Sequence, residues 1–357
     1  MNEIWILGAT GRCGRAVAAQ LAVADFSPVL VGREAARLHE VARSIGRDLR
    51  MVTAASAEAV AQEILRNKPA VVVNTIGPFA QTALPIARAC LPGSHYIDIS
   101  NELTSFAQLF GMQEEAVASG RSFVTGAGFG VLATESVVLK LCEGQPAAAK
   151  VRVDAMPMVE TEPGSLGSAL AASIVDGLAA GGRRYVAGRL ERCRLFSDVA
   201  GLTRPDGVTI KTAGAPSGDL EAARRGSGAS FVVAGSTYAP TTPMLRTLLP
   251  VVLKVLHNRG IRNFAKRRLA AVEIKPKGSG EVKESPVSWA HASVEWPSGL
   301  KREGWLRLGD AMTFTTQVMA QVAMHLSRGD GRPGIYTPGA LLGPDLALAA
   351  GGQFLLD

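Results

Sequence analysis

The sequence is poor in aromatic residues and in cysteine. Aromatic side chains make up 5% of the 357 residues, which is too few for the stacking platforms that bind single-stranded nucleic acid. The four cysteines form no C-x-x-C pair, and they share no metal-ligand spacing with the five histidines. These absences predict free thiols in a reducing cytoplasm, no metal site and no nucleic-acid partner.

The chain also lacks a long hydrophobic run. Residues 248–256 come nearest, but they contain Pro250 and Lys254, whereas a membrane-spanning helix needs about 20 apolar residues. The first residues, Met1–Trp5, have neither the basic region nor the apolar core of a signal peptide. We therefore expect a cytoplasmic protein without a membrane span.

What the chain does contain is an ordinary globular composition. It is 47% hydrophobic and 19% charged, with a net charge of +7. Its length suits two domains of roughly 150 residues each. The positive charge favours anionic ligands but is too dilute to indicate nucleic acid.

The first part of the chain alternates between short apolar strands and helices. Ile4–Leu7, Pro28–Val31 and Val71–Val73 lack the polar alternation of a half-exposed strand, which indicates strands buried on both faces. Segments of helical composition, roughly 10 to 15 residues long, separate such strands. This pattern predicts an α/β fold with a Rossmann-type, doubly wound parallel sheet.

From about residue 150 to residue 309 the pattern changes. The candidate strands become longer and more alternating, as in His291–Trp296, and turn signals such as Pro297–Gly299 lie beside them. We predict a largely antiparallel sheet here, with helices over residues 168–178 and 244–256. Residues 310–326 return to a helical pattern, and a tail rich in glycine and proline follows.

The strongest chemical motif is a glycine loop between the first strand and the first helix. Its glycines fit G-x-x-G-x-x-G, with Gly8 for the tight turn, Gly11 for the approach of a pyrophosphate and Gly14 for close helix packing. Backbone amides at the helix start then hold the phosphate charge. The alternative is a plain glycine-rich turn. The cofactor contacts predicted from this loop are Gly8, Thr10, Gly11, Arg12, Cys13 and Gly14.

The end of the second strand indicates which dinucleotide is bound. An NAD site places an acidic residue there for the ribose 2′-hydroxyl, whereas this chain has Arg33, whose guanidinium suits a 2′-phosphate. Arg37, one turn later, is placed to help. Glu34 is the complication, because it offers a carboxylate to the ribose instead. We expect NADPH to be preferred over NADH.

Residues after the later strands supply the rest of the predicted site, because ligands of doubly wound sheets bind beyond the carboxyl ends of strands. Gly77–Pro78 brings rigid backbone beside the nicotinamide ribose, and Phe79 either faces the ring or fills the core. We predict further cofactor contacts from Thr75, Gly77 and Pro78, and substrate contacts from Phe79, Asn101 and Phe129.

Tyr96, Asp98 and Glu102 are the candidate catalytic groups. The cofactor carries out hydride transfer, so the protein has to position the substrate and supply a proton. Tyr96 and Asp98 share one face of the fifth strand if that strand is regular. This face either lines the crevice or faces the core, and in the second case Asp98 is a buried capping group.

Together these segments resemble the saccharopine dehydrogenase-like oxidoreductases, a superfamily that includes saccharopine reductases and trans-acting enoyl reductases. The resemblance implies a Rossmann domain formed by residues 1–130 and 310–357, with an inserted α+β domain over residues 131–309 for substrate and dimerisation. It also favours a homodimer, because the long alternating strands of the middle domain leave a face that needs cover. The segments that carry it are Gly8–Gly14, Asn74–Phe79, His95–Glu102, Gly126–Gly130 and Gly334–Ala340.

Two positions depart from the family pattern. Asn101 stands where relatives often carry glycine, and Gly130 stands where they often carry aspartate after the Gly-Phe pair. Both positions lie at the rim of the predicted active site. The departures leave the cofactor prediction intact and bear on the substrate.

The resemblance implies an NADP(H)-dependent reductase that transfers hydride to a C=N or C=C bond of a small or carrier-linked metabolite. The alternative is a non-catalytic, dinucleotide-binding redox sensor. A basic stretch is the first candidate for docking a carrier, although a solvated helix end is the more ordinary interpretation. That stretch consists of Lys254, Arg259, Arg262, Lys266, Arg267 and Arg268.

Overall fold

The structure, a computed structural model, describes residues 3–160, 164–165, 175, 177–178, 181–242, 258–274 and 286–356. The helix predicted over residues 244–256, with Lys254 in it, lies outside this part of the chain. The helix predicted over residues 168–178 also lies outside it, except for residues 175, 177 and 178, which are helical.

The described strands are short in the first part of the chain and longer in the middle. In chain order they are β1 (Ile4–Leu7), β2 (Val29–Gly32), β3 (Met51–Thr53), β4 (Val71–Asn74), β5 (His95–Asp98), β6 (Ser122–Val124), β7 (Lys150–Met156), β8 (Gly164–Ser165), β9 (Gly182–Val186), β10 (Arg189–Cys193), β11 (Ala200–Thr203), β12 (Thr209–Gly214), β13 (Phe231–Ser236), β14 (Glu273–Ile274), β15 (Ser288–Glu295), β16 (Lys301–Leu308), β17 (Gly334–Tyr336) and β18 (Gln353–Leu356).

The described helices alternate with the first six strands and are sparser afterwards. They are α1 (Arg12–Val23), α2 (Ala35–Ile45), α3 (Ala57–Asn67), α4 (Phe79–Cys90), α5 (Leu103–Phe110), α6 (Gln113–Ala118), α7 (Thr134–Cys142), α8 (Asp219–Ser227), α9 (Arg259–Ala270), α10 (Ala311–Arg328), α11 (Pro338–Leu342) and α12 (Leu346–Ala349), with one π-helix at Phe129–Ala133.

Residue contacts divide the chain into two units. Unit 1 comprises Met1–Leu132 and Met312–Ala350, and unit 2 comprises Ala133–Ala311 and Gly351–Asp357. The sequence analysis assigned all of residues 310–357 to the Rossmann domain, but the last strand, β18, belongs to unit 2. Strand β18 pairs in antiparallel fashion with Gly304–Arg307 of β16. This backbone pairing makes it part of the sheet of unit 2.

Unit 1 contains a seven-stranded sheet in the order β17-β6-β5-β4-β1-β2-β3. All six neighbouring pairs are parallel, which confirms the predicted Rossmann-type sheet. Strands β1, β2 and β4 are buried along their whole length, as expected for strands covered on both faces. The seventh strand, β17, was not predicted, because it lies in the tail rich in glycine and proline.

Unit 2 contains a nine-stranded sheet whose main path is β10-β9-β13-β7-β15-β16-β18, with β12 joining β13 and β11 joining β12. Only the pair of β13 and β7 among these is parallel, so the prediction of a mostly antiparallel second sheet is confirmed. Helices α8 and α9 were not predicted. Strands β8 and β14 form a separate two-stranded antiparallel sheet.

A buried ionic network joins the strands of the second sheet. Asp154 on β7 is fully buried, and its carboxylate accepts hydrogen bonds from Arg152, Thr212 and His291 at 2.6–3.1 Å. Burial alone would raise the pKa of Asp154, but the bonds from His291 and Arg152 lower it below its ordinary value. Because its donors come from β7, β12 and β15, this carboxylate fixes how those three strands align.

His95 is the first residue of β5, so it lies on the side of the first sheet where the parallel strands begin. Its side chain is held in the neutral form. Its Nδ1 accepts a hydrogen bond from the backbone N–H of Ser122 at 3.0 Å. Burial, together with the charge of Arg121, lowers the pKa of His95 to about 4. In the unfolded chain the pKa of histidine is about 6.5, so the folded state disfavours protonation.

This difference predicts a loss of stability in mild acid. The contribution of neutral His95 is fully present above about pH 6.5 and is lost as the pH falls toward 4, because the unfolded state then binds the extra proton. With allowance for solvent screening, the loss is on the order of 1–2 kcal/mol. Thermal melts between pH 4 and 8 test it against His95→Gln, which keeps an acceptor but does not titrate; parallel curves for the two proteins would contradict it.

Candidate dinucleotide-binding site

The glycine loop closes tightly on the first sheet. The N–H groups of Gly8 and Ala9 donate to the carbonyl of Val31 at 3.0 and 3.1 Å, which ties the loop to β2. Gly8 has a φ of +74°, the left-handed conformation that glycine adopts most easily. A Cβ on Gly14 would lie 2.4 Å from the carbonyl oxygen of Gly8, so a side chain there would push α1 away from the loop.

The start of α1 is arranged to receive an anion. Gly11 is its N-cap and offers no side-chain acceptor, and the first turn contains no acidic residue. The N-terminal amides and the positive end of the helix dipole therefore favour a phosphate at this point. The Sγ of Cys13 lies 3.4 Å from the Sδ of Met312, and burial raises the pKa of its thiol. Cys13 therefore offers the site its backbone rather than its side chain.

Besides Arg12, one arginine follows β2, the strand to which the loop is tied, and another lies in the first turn of α1. Arg33 is exposed directly after β2, where the sequence analysis expected it. The carboxylate of Glu34, the N-cap of α2, forms an exposed ion pair with Arg37, with 3.2 Å between Oε2 and Nε. Arg15, which the sequence analysis did not single out, donates from Nη1 to the carbonyl of Thr10 at 3.1 Å. The feature of the sequence that could have identified Arg15 is its position directly after Gly14, the last glycine of the motif.

The segment after β4 is braced against the glycine loop. The hydroxyl of Thr75 donates to the carbonyl of Leu7 at 2.7 Å, and a Cβ on Gly8 would lie 2.7 Å from the same hydroxyl oxygen. Thr75 therefore packs directly against the tight turn. Gly77 and Pro78 follow it and lead into α4, of which Pro78 is the N-cap.

Glu102 holds the start of α4. Its two carboxylate oxygens accept hydrogen bonds from the backbone N–H groups of Phe79 and Ala80, at 3.3 and 2.8 Å. Those are two of the amides that the helix itself leaves without an acceptor. This geometry gives Glu102 a positioning role for the Gly77–Pro78 segment.

Tyr96 and Asp98, the other two predicted catalytic residues, lie in the interior of unit 1 and not at a surface. Both are fully buried. The Tyr96 hydroxyl accepts from Asn74 at 3.1 Å and donates to Asp98 at 2.9 Å. The other carboxylate oxygen of Asp98 accepts from Thr125 at 2.8 Å and from two backbone amides, those of Ser100 and Gly126, at 3.0 and 3.2 Å.

This network links the ends of β4, β5 and β6, so its members position the strand ends. Burial raises the pKa of Asp98, although the four hydrogen bonds oppose that shift. Burial and the nearby carboxylate raise the pKa of Tyr96 well above its ordinary value. Of the two interpretations of this strand face, the structure favours the core-facing one, with Asp98 as a buried capping group.

The predicted substrate contacts separate into two kinds. Phe79 and Phe129 are 8% and 5% exposed. Phe79 belongs to the main core of unit 1. The ring of Phe129 packs edge-on against that of Phe314, with 6.4 Å between the ring centroids. They fill the interior and do not form an open apolar wall. Asn101 is partly exposed and packs against Gly130, where an added Cβ would lie 2.7 Å from Nδ2.

None of the described helices is long and apolar enough to cross a bilayer. Within the same residues, no cluster of three or more histidine, cysteine, aspartate or glutamate side chains is arranged to hold a metal ion.

Comparison with known proteins agrees with this geometry. The family model of the saccharopine dehydrogenase NADP binding domain matches residues 4–124, which span β1 to β6. Curated relatives include the trans-acting enoyl reductase of Mycobacterium leprae (strain TN), 27% identical over 146 residues, or 39% of this chain and 35% of the relative. The enzyme of the same name from Mycobacterium ulcerans (strain Agy99) is 29% identical over 134 residues, or 36% of this chain and 32% of the relative. These matches therefore span about a third of each relative.

A solved structure has a similar fold. The apo histidine-tagged saccharopine dehydrogenase (L-Glu forming) from Saccharomyces cerevisiae aligns with 100% of both chains at a TM-score of 0.61 and 12% sequence identity. At that identity the likeness concerns the fold alone.

Proposed function

We propose that this chain, whose residues 4–124 match the saccharopine dehydrogenase NADP binding domain, is an NADP(H)-dependent oxidoreductase of the saccharopine dehydrogenase-like family. Specifically, it reduces a C=C or C=N bond of a small or carrier-linked metabolite. The observation that carries the proposal is the glycine cradle at the start of α1, where a Cβ on Gly14 would lie 2.4 Å from the Gly8 carbonyl oxygen.

The residues present fit the cofactor. The amides at the start of α1 hold the pyrophosphate, and Arg33 holds the 2′-phosphate, since Glu34 is engaged by Arg37. Thr75, Gly77 and Pro78 present backbone to the nicotinamide ribose. Glu102 keeps that backbone in place by accepting from the first amides of α4. When bound, NADPH supplies the hydride.

The curated relatives favour a C=C bond, because they are named enoyl reductases. For a carrier-linked substrate, we propose α9 as the docking element. Ile261 and Phe264 are 42% and 60% exposed on it, Arg267 and Arg268 are exposed beside them, and its sequence contains no acidic residue. Apolar side chains flanked by arginines suit an acidic carrier surface.

Transfer of a labelled hydride tests the proposed reaction. The protein is incubated with NADPH that carries deuterium at both C4 positions of the nicotinamide ring, together with enoyl thioesters or cyclic imines, and the masses of the products are measured by mass spectrometry. We expect a product one mass unit heavier than that from unlabelled NADPH. Tight NADPH binding with no transfer to either class would instead support the redox-sensor alternative.

We also propose a homodimer in the cytoplasm. The four cysteines are free thiols, as in a reducing compartment, and the long antiparallel strands of unit 2 offer a face for a second copy. Light scattering at twice the mass of the 357-residue chain would support the dimer. Scattering at the mass of a single chain across micromolar concentrations would contradict it.

A further inference from the structure

A two-residue turn joins β9 and β10 into a hairpin. The turn residues Ala187 and Gly188 both have positive φ values, +49° and +76°, which is the geometry of a type I′ turn. In such a hairpin the pair that flanks the turn exchanges hydrogen bonds, and the pairs beyond it alternate between the two kinds. Arg183 and Arg192, three pairs further along, therefore form a non-hydrogen-bonded pair, in which the side chains lie closest together.

The two faces of this hairpin differ in charge. On one face Arg184 is opposite Glu191 and also forms an ion pair with Asp198, with 3.1 Å between Nη1 and Oδ1. On the other face the two positive charges of Arg183 and Arg192 are opposite each other. Like charges in directly opposite positions destabilise a sheet, so the hairpin itself gains nothing from this pair.

A carboxylate on the same side of the sheet is already engaged. Tyr185 shares the face of Arg183, and its hydroxyl donates a hydrogen bond to Glu221 of α8. Glu221 also accepts from Arg225 at 2.6 Å and from Arg224 at 3.2 Å. This carboxylate thus serves two arginines of its own helix, and it forms no ion pair with the two arginines of the hairpin face.

Both arginines of the pair keep N–H groups for a ligand. Arg192 is exposed, and with the described residues it forms no hydrogen bond and no ion pair. Arg183 is partly exposed and donates from Nη1 to the carbonyl of Gly182 at 2.9 Å, which uses one of the five N–H groups of a guanidinium. Burial and the charge of Arg192 lower the pKa of Arg183, so an anion bound between the two would favour its charged form.

We propose that Arg183 and Arg192 together bind a dianionic phosphate group, either free phosphate or a phosphate monoester. The two guanidinium groups carry two positive charges, which a phosphate dianion balances. Each guanidinium presents its N–H groups as a planar fork that suits phosphate oxygens, and a monoester keeps three oxygens free to accept from both forks. This site lies within unit 2, and it does not depend on the proposed function.

Titrations of the full chain followed by ³¹P NMR test the site with inorganic phosphate, methyl phosphate and dimethyl phosphate. NADP⁺ is kept at saturation so that the probes do not bind at the glycine loop. Arg183→Gln and Arg192→Gln are each expected to weaken inorganic phosphate by about 10-fold. Dimethyl phosphate, which has a single charge and fewer free oxygens, is expected to bind about 10-fold more weakly than inorganic phosphate. Methyl phosphate that binds as tightly as inorganic phosphate would identify an ester as the ligand, and much weaker binding would identify free phosphate.

Arg189→Gln is the matched control, because Arg189 is exposed on the same strand but on the opposite face of the hairpin. It should leave phosphate binding unchanged. Arg192→Glu separates loss of the site from loss of the fold. It is expected to abolish phosphate binding and to raise the melting temperature in phosphate-free buffer, because it places opposite charges across the two strands.

The failures can be told apart. Phosphate binding that survives both Arg183→Gln and Arg192→Gln would overturn the site, and so would a parent that binds none of the three probes. The two arginines would then only protect the edge of the sheet, and the proposed NADP(H) site would be unaffected. A parent that binds no NADP⁺ but loses phosphate in these two variants would instead overturn the proposed cofactor and keep the phosphate site.

Discussion

Arg33→Ala is expected to weaken NADPH binding by roughly 10- to 100-fold and to leave NADH binding nearly unchanged. A hydrogen bond to a charged group contributes about 1.5–3 kcal/mol, and only NADPH has the 2′-phosphate that receives it. Arg33 is exposed at the end of β2, and its neighbour Glu34 pairs with Arg37. Titration of nicotinamide fluorescence gives both dissociation constants.

Arg43→Ala provides the matched control for this experiment. Arg43 is exposed in the last turn of α2, the helix that begins two residues after Arg33. Its loss removes the same charge, but at a greater distance from the proposed site of the 2′-phosphate. We expect less than about a 2-fold change for either cofactor, because exposed charges a Debye length apart are largely screened. Equal affinities of the parent for NADPH and NADH would refute the assignment of Arg33.

Asp98→Ala is expected to destabilise unit 1 by about 4 kcal/mol. The substitution leaves the Tyr96 and Thr125 hydroxyls and the amides of Ser100 and Gly126 without their acceptor, and each buried unsatisfied group costs about 1–3 kcal/mol. Part of that cost is recovered by local rearrangement, which keeps the sum below the simple total. Urea unfolding monitored by circular dichroism measures the change.

Tyr96→Phe and Asp98→Asn separate the structural role from a catalytic one. Tyr96→Phe removes one donor of the network and is expected to lose about 1–2 kcal/mol. Asp98→Asn keeps the size of the side chain but places an NH₂ group against hydrogen-bond donors. We therefore expect a loss of stability between that of Tyr96→Phe and that of Asp98→Ala. If Asp98→Asn kept the parent stability but abolished hydride transfer, the residue would be catalytic after all.

Features of the fold that come from local patterns were predictable. The buried strands β1 and β4 are continuous apolar runs, and α2 and α3 bury residues at helical spacing. Strand β17 has only three residues, and the strand with which it pairs, β6, is far away in the chain. Helix α8 is short and carries four charged residues, Asp219, Glu221, Arg224 and Arg225, so few apolar side chains mark it in the sequence.

The site divides in the same way. The glycine loop and Arg33 are defined by their place after a strand, which the sequence reports directly. The period of a strand says that Tyr96 and Asp98 share a face but not which layer covers it, so their burial required the packed structure. The hydrogen bonds that Glu102 accepts from α4, and the contact of Asn101 with Gly130, join residues that only folding brings together.

The late position of β17 has a consequence for how the chain is made. The Ser122 hydroxyl at the start of β6 bonds the carbonyl of Arg332, 210 residues later, and β17 follows directly. At about 5 to 20 residues per second, a ribosome needs on the order of 10 to 40 seconds to synthesise that interval. Throughout that time the nascent chain carries β6 as an open strand edge, which is the type of surface that pairs with other chains. Protection of this edge during translation therefore becomes a requirement for producing the protein in folded form.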